Sequence, residues 1–197
     1  MLKKGDLEGS GIICKFVEIS LSHEGIQNRG SMKEFKIEVP VREYSYAELP
    51  EEDRRLVDAA KEATANALPT YSHFSVGAAI LLEDGTIVTG ANQENAAFPS
   101  SMCAERTAVY WASANHPGKA MRKIAIAANT FRLNREPGAS FAQCFQRNPI
   151  APCGACRQAL LEYEHLYGPM EVILYGADRT FVLPSVASLL PVTFTDF

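Results

Sequence analysis

Two stretches some fifty positions apart each place cysteine where a helix is expected to begin, and together they limit the folds open to this chain. The first is "SMCAERTA", residues 101–108, with Cys103, Glu105 and Arg106 close together. The second is "PCGACRQAL", residues 152–160, where Cys153 and Cys156 lie one turn apart on the same side of a helix. A C-x-x-C pair is either a redox couple or two ligands of a metal. A thioredoxin-like couple follows an N-terminal strand, whereas this pair comes late in the chain, after a long loop. Cys103 adds a third thiol at a second helix start. Unpaired N–H groups and partial positive charge at such a position favour the thiolate that binds zinc.

Three protein ligands with an open fourth position are the pattern of a catalytic zinc, whereas four closed ligands are structural. A structural site would need Cys144 or a histidine such as His116 as its fourth ligand. Glu105, in a first turn, suits the helix dipole on that ground alone. Two residues after a metal ligand, it can instead take a proton from water activated by the metal and return it to a leaving group. Three thiolates outweigh the charge of Zn2+, and Arg106 and Arg157 are placed to donate to cysteine sulfurs and offset the excess. Either arginine can equally lie on a solvated helix face.

Around these stretches the chain reads as alternating helix and strand. Leu56, Ala59, Ala60, Ala63 and Ala67 recur at helical spacing in "LPEEDRRLVDAAKEATANALP", which acidic residues open and Pro69 closes. "FSVGAAILLEDGTIVTGAN" reads as two β-rich runs joined at Asp84-Gly85, a hairpin signal. A helix follows from about Cys103 to Asn115, then the buried strand "KIAIAAN", then a long polar loop over residues 129–152. A helix from about Cys153 to His165, the strands "EVILYG" and "TFVLP", and a short helix at "SVASLL" complete the order. That order fits an α/β layer in which helices cover a mixed sheet.

Residues 1–45 carry no clean periodicity and are expected to be an N-terminal extension, ordered poorly in part, before a single domain over 46–197. Met32 ends a polar stretch and is a candidate functional start, with residues 1–31 an upstream or expression-derived segment. No signal peptide is read at the N-terminus, because Asp6, Glu8, Lys15 and Glu18 interrupt any apolar run. A cytoplasmic location is the expectation. The longest apolar run, "VGAAILL", is far shorter than the roughly 20 residues that span a bilayer. With a net charge of −4 and no Lys/Arg cluster, neither nucleic acid nor an anionic membrane is an expected partner. Five cysteines, an odd number, favour metal binding or free thiols over a disulfide framework in a reducing compartment.

Five short motifs in one order, "FSVGAA" (74–79), "NQEN" (92–95), "CAER" (103–106), "PCGACRQ" (152–158) and "LLPVTF" (189–194), resemble the zinc-dependent cytidine deaminases of the small homotetrameric type. The resemblance runs from about Ala59 to the C-terminus. It implies a three-layer α/β fold, a mixed sheet with helices on both faces, and one Zn2+ per subunit held by Cys103, Cys153 and Cys156. Glu105 would be the proton shuttle in hydrolytic deamination of cytidine and deoxycytidine, releasing ammonia, a reaction of pyrimidine salvage. Asn92 and Glu94 would hold the sugar hydroxyls, Phe74 would pack on the pyrimidine, and the Ala104 backbone would contact the base. Phe194, and Phe98 where the family has a tyrosine, would face a neighbouring subunit. Blasticidin-type deaminases rank second, since they resemble the chain around the zinc but differ at "NQEN". A zinc-stabilised binding module is the alternative that is not an enzyme. The spacing from Cys103 to Cys153 is longer than usual for the family, and the excess falls in residues 130–151, which would cover the site or alter a subunit contact.

Overall fold

The computed structural model describes residues 35–130 and 140–195. The expectations for Met1, Met32 and the first 31 residues lie outside the described residues, as does much of the long loop. One compact unit begins at Ile37. Its strands are β1 (Arg42–Tyr44), β2 (Ser75–Leu82), β3 (Ile87–Ala91), β4 (Met121–Asn129), β5 (Glu171–Leu174) and β6 (Thr180–Leu183). Its helices are α1 (Glu51–Ala63), α2 (Ala104–Asn115) and α3 (Gly154–Tyr167). The strands form one sheet in the order β1-β6-β5-β4-β2-β3. Only the β4–β5 pair is parallel; the others are antiparallel, so the sheet is mixed.

Strand alternation builds both faces from the same strands. Ile80 and Leu82 of β2, Ile126 of β4 and Val172 of β5 turn towards Val109 of α2 and Leu160 of α3. Their neighbours Ala79, Leu81, Ala125 and Ile173 turn the other way, onto Leu56, Val57 and Ala60 of α1. The result is the three-layer α/β arrangement that the resemblance implies. Because β2 is covered on both faces, its sequence reads as one apolar run without alternation.

Two glycines set how closely the layers approach. A Cβ at Gly77 would lie 2.1 Å from the Ala60 carbonyl oxygen of α1, and one at Gly90 would lie 2.4 Å from the Ala108 nitrogen of α2. Neither contact has room for a side chain, since backbone atoms stand on the far side. The hairpin turn at Asp84-Gly85 is as expected, with Gly85 at φ 85°. α3 runs two residues past the expected His165 and stops where Gly168 takes a φ of 94°. β1 lies inside the stretch read from sequence as an extension; it is a three-residue edge strand paired with β6, too short to show alternation.

The topology has one consequence for chemistry. β3 and β4 both pair antiparallel with β2, so they run in the same direction. The connection from β3 to β4 passes through α2, and that from β4 to β5 passes through α3. Both helices therefore begin at the same end of the sheet, outside the carboxyl ends of β3 and β4, where open α/β sheets bind ligands.

Candidate active site

At that end the two helix starts meet. Cys103 is the residue before the first turn of α2, and Cys153 stands in the same place before α3. Neither thiol caps its own helix, so both are free to turn towards each other. Cys156, in the first turn of α3, is buried. The Cys103 and Cys153 sulfurs are 3.9 Å apart, those of Cys153 and Cys156 3.5 Å, and all three lie within 4.8 Å of one another. A tetrahedral zinc with sulfurs at about 2.3 Å spaces them about 3.8 Å apart, so the cluster has the size for that ion. A disulfide would need sulfurs about 2.0 Å apart, and the three thiols are free.

Among the described residues this is the one group of three or more such ligands, and no fourth joins it. Cys144 is buried elsewhere, its thiol donating to the Ser140 carbonyl at 3.3 Å. His116 follows the last turn of α2, 13 residues and about 20 Å from Cys103 along the helix.

The charges suit a cation. The hydrogen bond from Cys156 lowers the Cys103 thiol to about 5, with Arg106 and Cys153 adding to the effect. Cys156 is pushed up by that same bond, by burial and by the Glu105 charge. An Arg106 Nη contacts the Cys103 sulfur at 3.9 Å, as the sequence suggests. Arg157 takes a different course. Its Nε donates to the Pro152 carbonyl at 2.8 Å and an Nη to the Leu189 carbonyl at 2.9 Å, not to sulfur. The guanidinium thereby ties the turn before Cys153 to the C-terminal segment. Glu105 is 5% exposed, and burial pushes its carboxyl up, helped by the Cys103 charge. A carboxylate raised this way takes up a proton more readily near neutral pH.

Beside the thiols, Ala104 opens α2 and is fully buried. Asn92, just past β3, clasps the start of β2: its Oδ1 accepts from Val76 N at 2.8 Å, and its Nδ2 donates to the Phe74 carbonyl at 3.0 Å. Glu94 clasps the preceding loop, accepting from Tyr71 N at 2.7 Å, Ser72 N at 3.0 Å and the Ser72 hydroxyl at 2.5 Å. Burial acts to raise the Glu94 carboxyl, but the donors of Ser72 and Tyr71 prevail and lower it. Phe74 is half-buried. Phe98 is 69% exposed and packs edge-on against Tyr71, and Phe194 is 68% exposed at the other end of the described chain.

Sequence reasoning missed Tyr71 and Ser72, whose contacts are made through a loop with no motif of its own chemistry. It missed Gly90 as the residue that lets α2 sit against the sheet. The long loop is seen in its second half: Phe145 is buried on the α1 face, and Gln146 N bonds to the Ala128 carbonyl at 2.9 Å.

Residues 50–167 match the family model of the cytidine and deoxycytidylate deaminase zinc-binding region. The chain belongs to the cytidine and deoxycytidylate deaminase family. A cytidine deaminase of Sporosarcina psychrophila is 36% identical over 141 residues, which are 72% of this chain and 90% of that one. A probable cytidine deaminase of Dictyostelium discoideum is 34% identical over 145 residues, 74% and 85% of the two chains. The crystal structure of cytidine deaminase from Burkholderia pseudomallei superposes with a TM-score of 0.56 at 39% identity, covering 71% of this chain and 97% of that one. All three site cysteines lie inside the matched zinc-binding region, and their size and donor type fit zinc, so zinc is the cofactor of this family member.

Proposed function

We propose that the chain catalyses hydrolytic deamination of cytidine and deoxycytidine, giving uridine, deoxyuridine and ammonia. The observation that carries this reading is the buried Glu105 standing two residues after Cys103 in a three-thiol cluster with no fourth protein ligand. Cys103, Cys153 and Cys156 hold one Zn2+ per subunit. When bound, the metal supplies a Lewis acid that makes water nucleophilic near neutral pH.

The chain's own residues do the rest. The Glu105 carboxylate takes one proton from the attacking water and passes it to N3 of the pyrimidine; it then takes the proton of the new C4 hydroxyl and gives it to the departing amine. Burial suits it to that exchange, since a carboxyl raised by desolvation gives and takes a proton at lower cost near neutral pH. Arg106 balances the thiolate charge at Cys103. Arg157 holds the Cys153 turn through the Pro152 carbonyl. Asn92 and Glu94 receive the sugar, a carboxylate being a strong acceptor for hydroxyl groups. The ring of Phe74 packs on the base, and the Ala104 backbone contacts it. Phe98 and Phe194, both exposed here, face a neighbouring subunit of a homotetramer. The reaction belongs to pyrimidine salvage in the cytoplasm; among the described residues, no helix is long and apolar enough to cross a membrane.

Zinc-loaded protein incubated with cytidine, deoxycytidine, cytosine and blasticidin S tests this. Ammonia release from both nucleosides, and little from free cytosine or blasticidin S, is the expected result. Turnover of blasticidin S alone would move the chain to the second-ranked reading, and turnover of none would leave a zinc-stabilised binding module.

A further inference from the structure

We propose that Ser72 is a positioning residue, one that aims the Glu94 carboxylate at the sugar and couples it to Phe74. The inference rests on the reading of Glu94 as a sugar contact. The Ser72 hydroxyl stands at a junction: it donates to Glu94 Oε1 at 2.5 Å and accepts from Phe74 N at 3.1 Å. One hydroxyl thereby links the side chain assigned to the sugar with the backbone of the residue assigned to the base. The loop is shaped for this contact. His73, between Ser72 and Phe74, is the one non-glycine residue with positive φ, at 57°, among the described residues. Its turn reverses the chain, so that Tyr71 N, Ser72 N and the Ser72 hydroxyl all converge on one carboxylate.

A glutamate side chain left alone samples many rotamers, and ordering it is an entropic cost at binding. Three donors hold Glu94 in one orientation beforehand, filling three of its roughly four acceptor positions and leaving about one for a substrate hydroxyl. The two backbone donors survive any side-chain substitution. The Ser72 hydroxyl is the donor to Oε1, and its removal frees that oxygen to rotate while unpinning the Phe74 nitrogen. Asn92 keeps Phe74 attached through its carbonyl, so the loop retains its other anchor.

The test compares zinc-loaded wild type, Ser72→Ala, Ser72→Thr, Glu94→Gln and the Ser72→Ala/Glu94→Gln double variant. Each is assayed with deoxycytidine and with 2′,3′-dideoxycytidine, which lacks the 3′-hydroxyl that deoxycytidine keeps. Ser72→Ala is expected to raise KM for deoxycytidine about tenfold, the scale of a lost hydrogen bond to a charged group, with kcat little changed. For dideoxycytidine the KM should rise far less. Ser72→Thr, which keeps the hydroxyl, should restore most of the loss, and the double variant should be no worse than Glu94→Gln alone, since the two residues act as one unit. Equal KM increases for both substrates would overturn the proposal, because they would mean a general loop defect. A Glu94→Gln effect on KM without a Ser72→Ala effect would also overturn it, leaving the sugar role of Glu94 standing. If Glu94→Gln leaves KM for deoxycytidine unchanged, the sugar role itself falls, and this inference with it.

Discussion

The two faces of the sheet use the same strands and similar apolar residues, yet charge is handled differently on each. On the α1 face, cations are locked into structure. Lys61 Nζ lies over the rings of Tyr46, Tyr175 and Phe145 at 4.9, 5.1 and 5.5 Å, with Asp58 Oδ1 at 3.3 Å. Near the start of α1, Lys123 Nζ meets Asp53 at 2.6 Å, Glu52 at 2.9 Å and Glu171 at 3.3 Å. On the α2/α3 face, two helix starts converge and gather three thiols, with Arg106 against the Cys103 sulfur and Arg157 tied to the turn before Cys153. The α1 face meets its cations with its own carboxylates and rings, whereas the other leaves the Cys153 thiol exposed where the helices start. What separates a scaffold face from a reactive one here is where the helices begin.

That contrast predicts different losses. Cys156→Ala is expected to have the largest effect, with metal content falling from one zinc per chain to near zero and a Tm lower by roughly 10 °C, because binding is coupled to folding. Metal analysis and thermal melting check it. Retained zinc in this variant would break the ligand assignment. The paired glycines come next. Gly77→Ala and Gly90→Ala each force a Cβ onto helix backbone and should each cost about 3 kcal/mol in denaturant unfolding. Only Gly90→Ala, which displaces α2, should also weaken zinc binding; equal effects on zinc would blur the two faces.

Lys123→Met leaves Asp53 buried without its partner and should cost about 2 kcal/mol, a figure reduced for the partial exposure of the lysine. Burial acts to lower the Lys123 pKa, but Asp53, Glu52 and Glu171 prevail and raise it. A raised cation stabilises below its unfolded pKa of about 10.4, and the contribution is lost as pH rises through the folded value. The gap between wild type and Lys123→Met should therefore stay constant from about pH 6 to 9 and close only above about 10. Lys61→Met is the mildest change, about 1 kcal/mol for the cation–π contacts, with kcat unaltered. A fall in kcat there would show the two faces to be coupled.

The helices and strands are legible because their signals are local: acidic residues before Leu56, Pro69 closing that stretch, and Asp84-Gly85 between two apolar runs. The thiol cluster was legible because cysteine at two helix starts has little bland explanation once the third appears. The order of the strands, and with it the shared end from which α2 and α3 start, was not, since pairing of β3 and β4 through β2 is a long-range choice. For Arg157, which adjoins Cys156 in sequence, the residues alone leave a sulfur contact and a solvated helix face equally open. Its helical direction carries it to the Pro152 and Leu189 carbonyls instead. Ser72 was invisible for a simpler reason: a serine in a loop has no meaning until the carboxylate it meets, 22 positions away, is folded against it.

On the proposed function, the thiol cluster is a reaction centre with Glu105 as its proton carrier. Glu105→Gln keeps the size of the side chain and removes the carboxylate. Ammonia release from cytidine, measured on wild type and Glu105→Gln with zinc content determined on the same samples, tests the claim directly. One zinc per chain in both proteins and a rate at least about 10²-fold lower in the variant are expected. Wild-type turnover by zinc-loaded Glu105→Gln would contradict the claim.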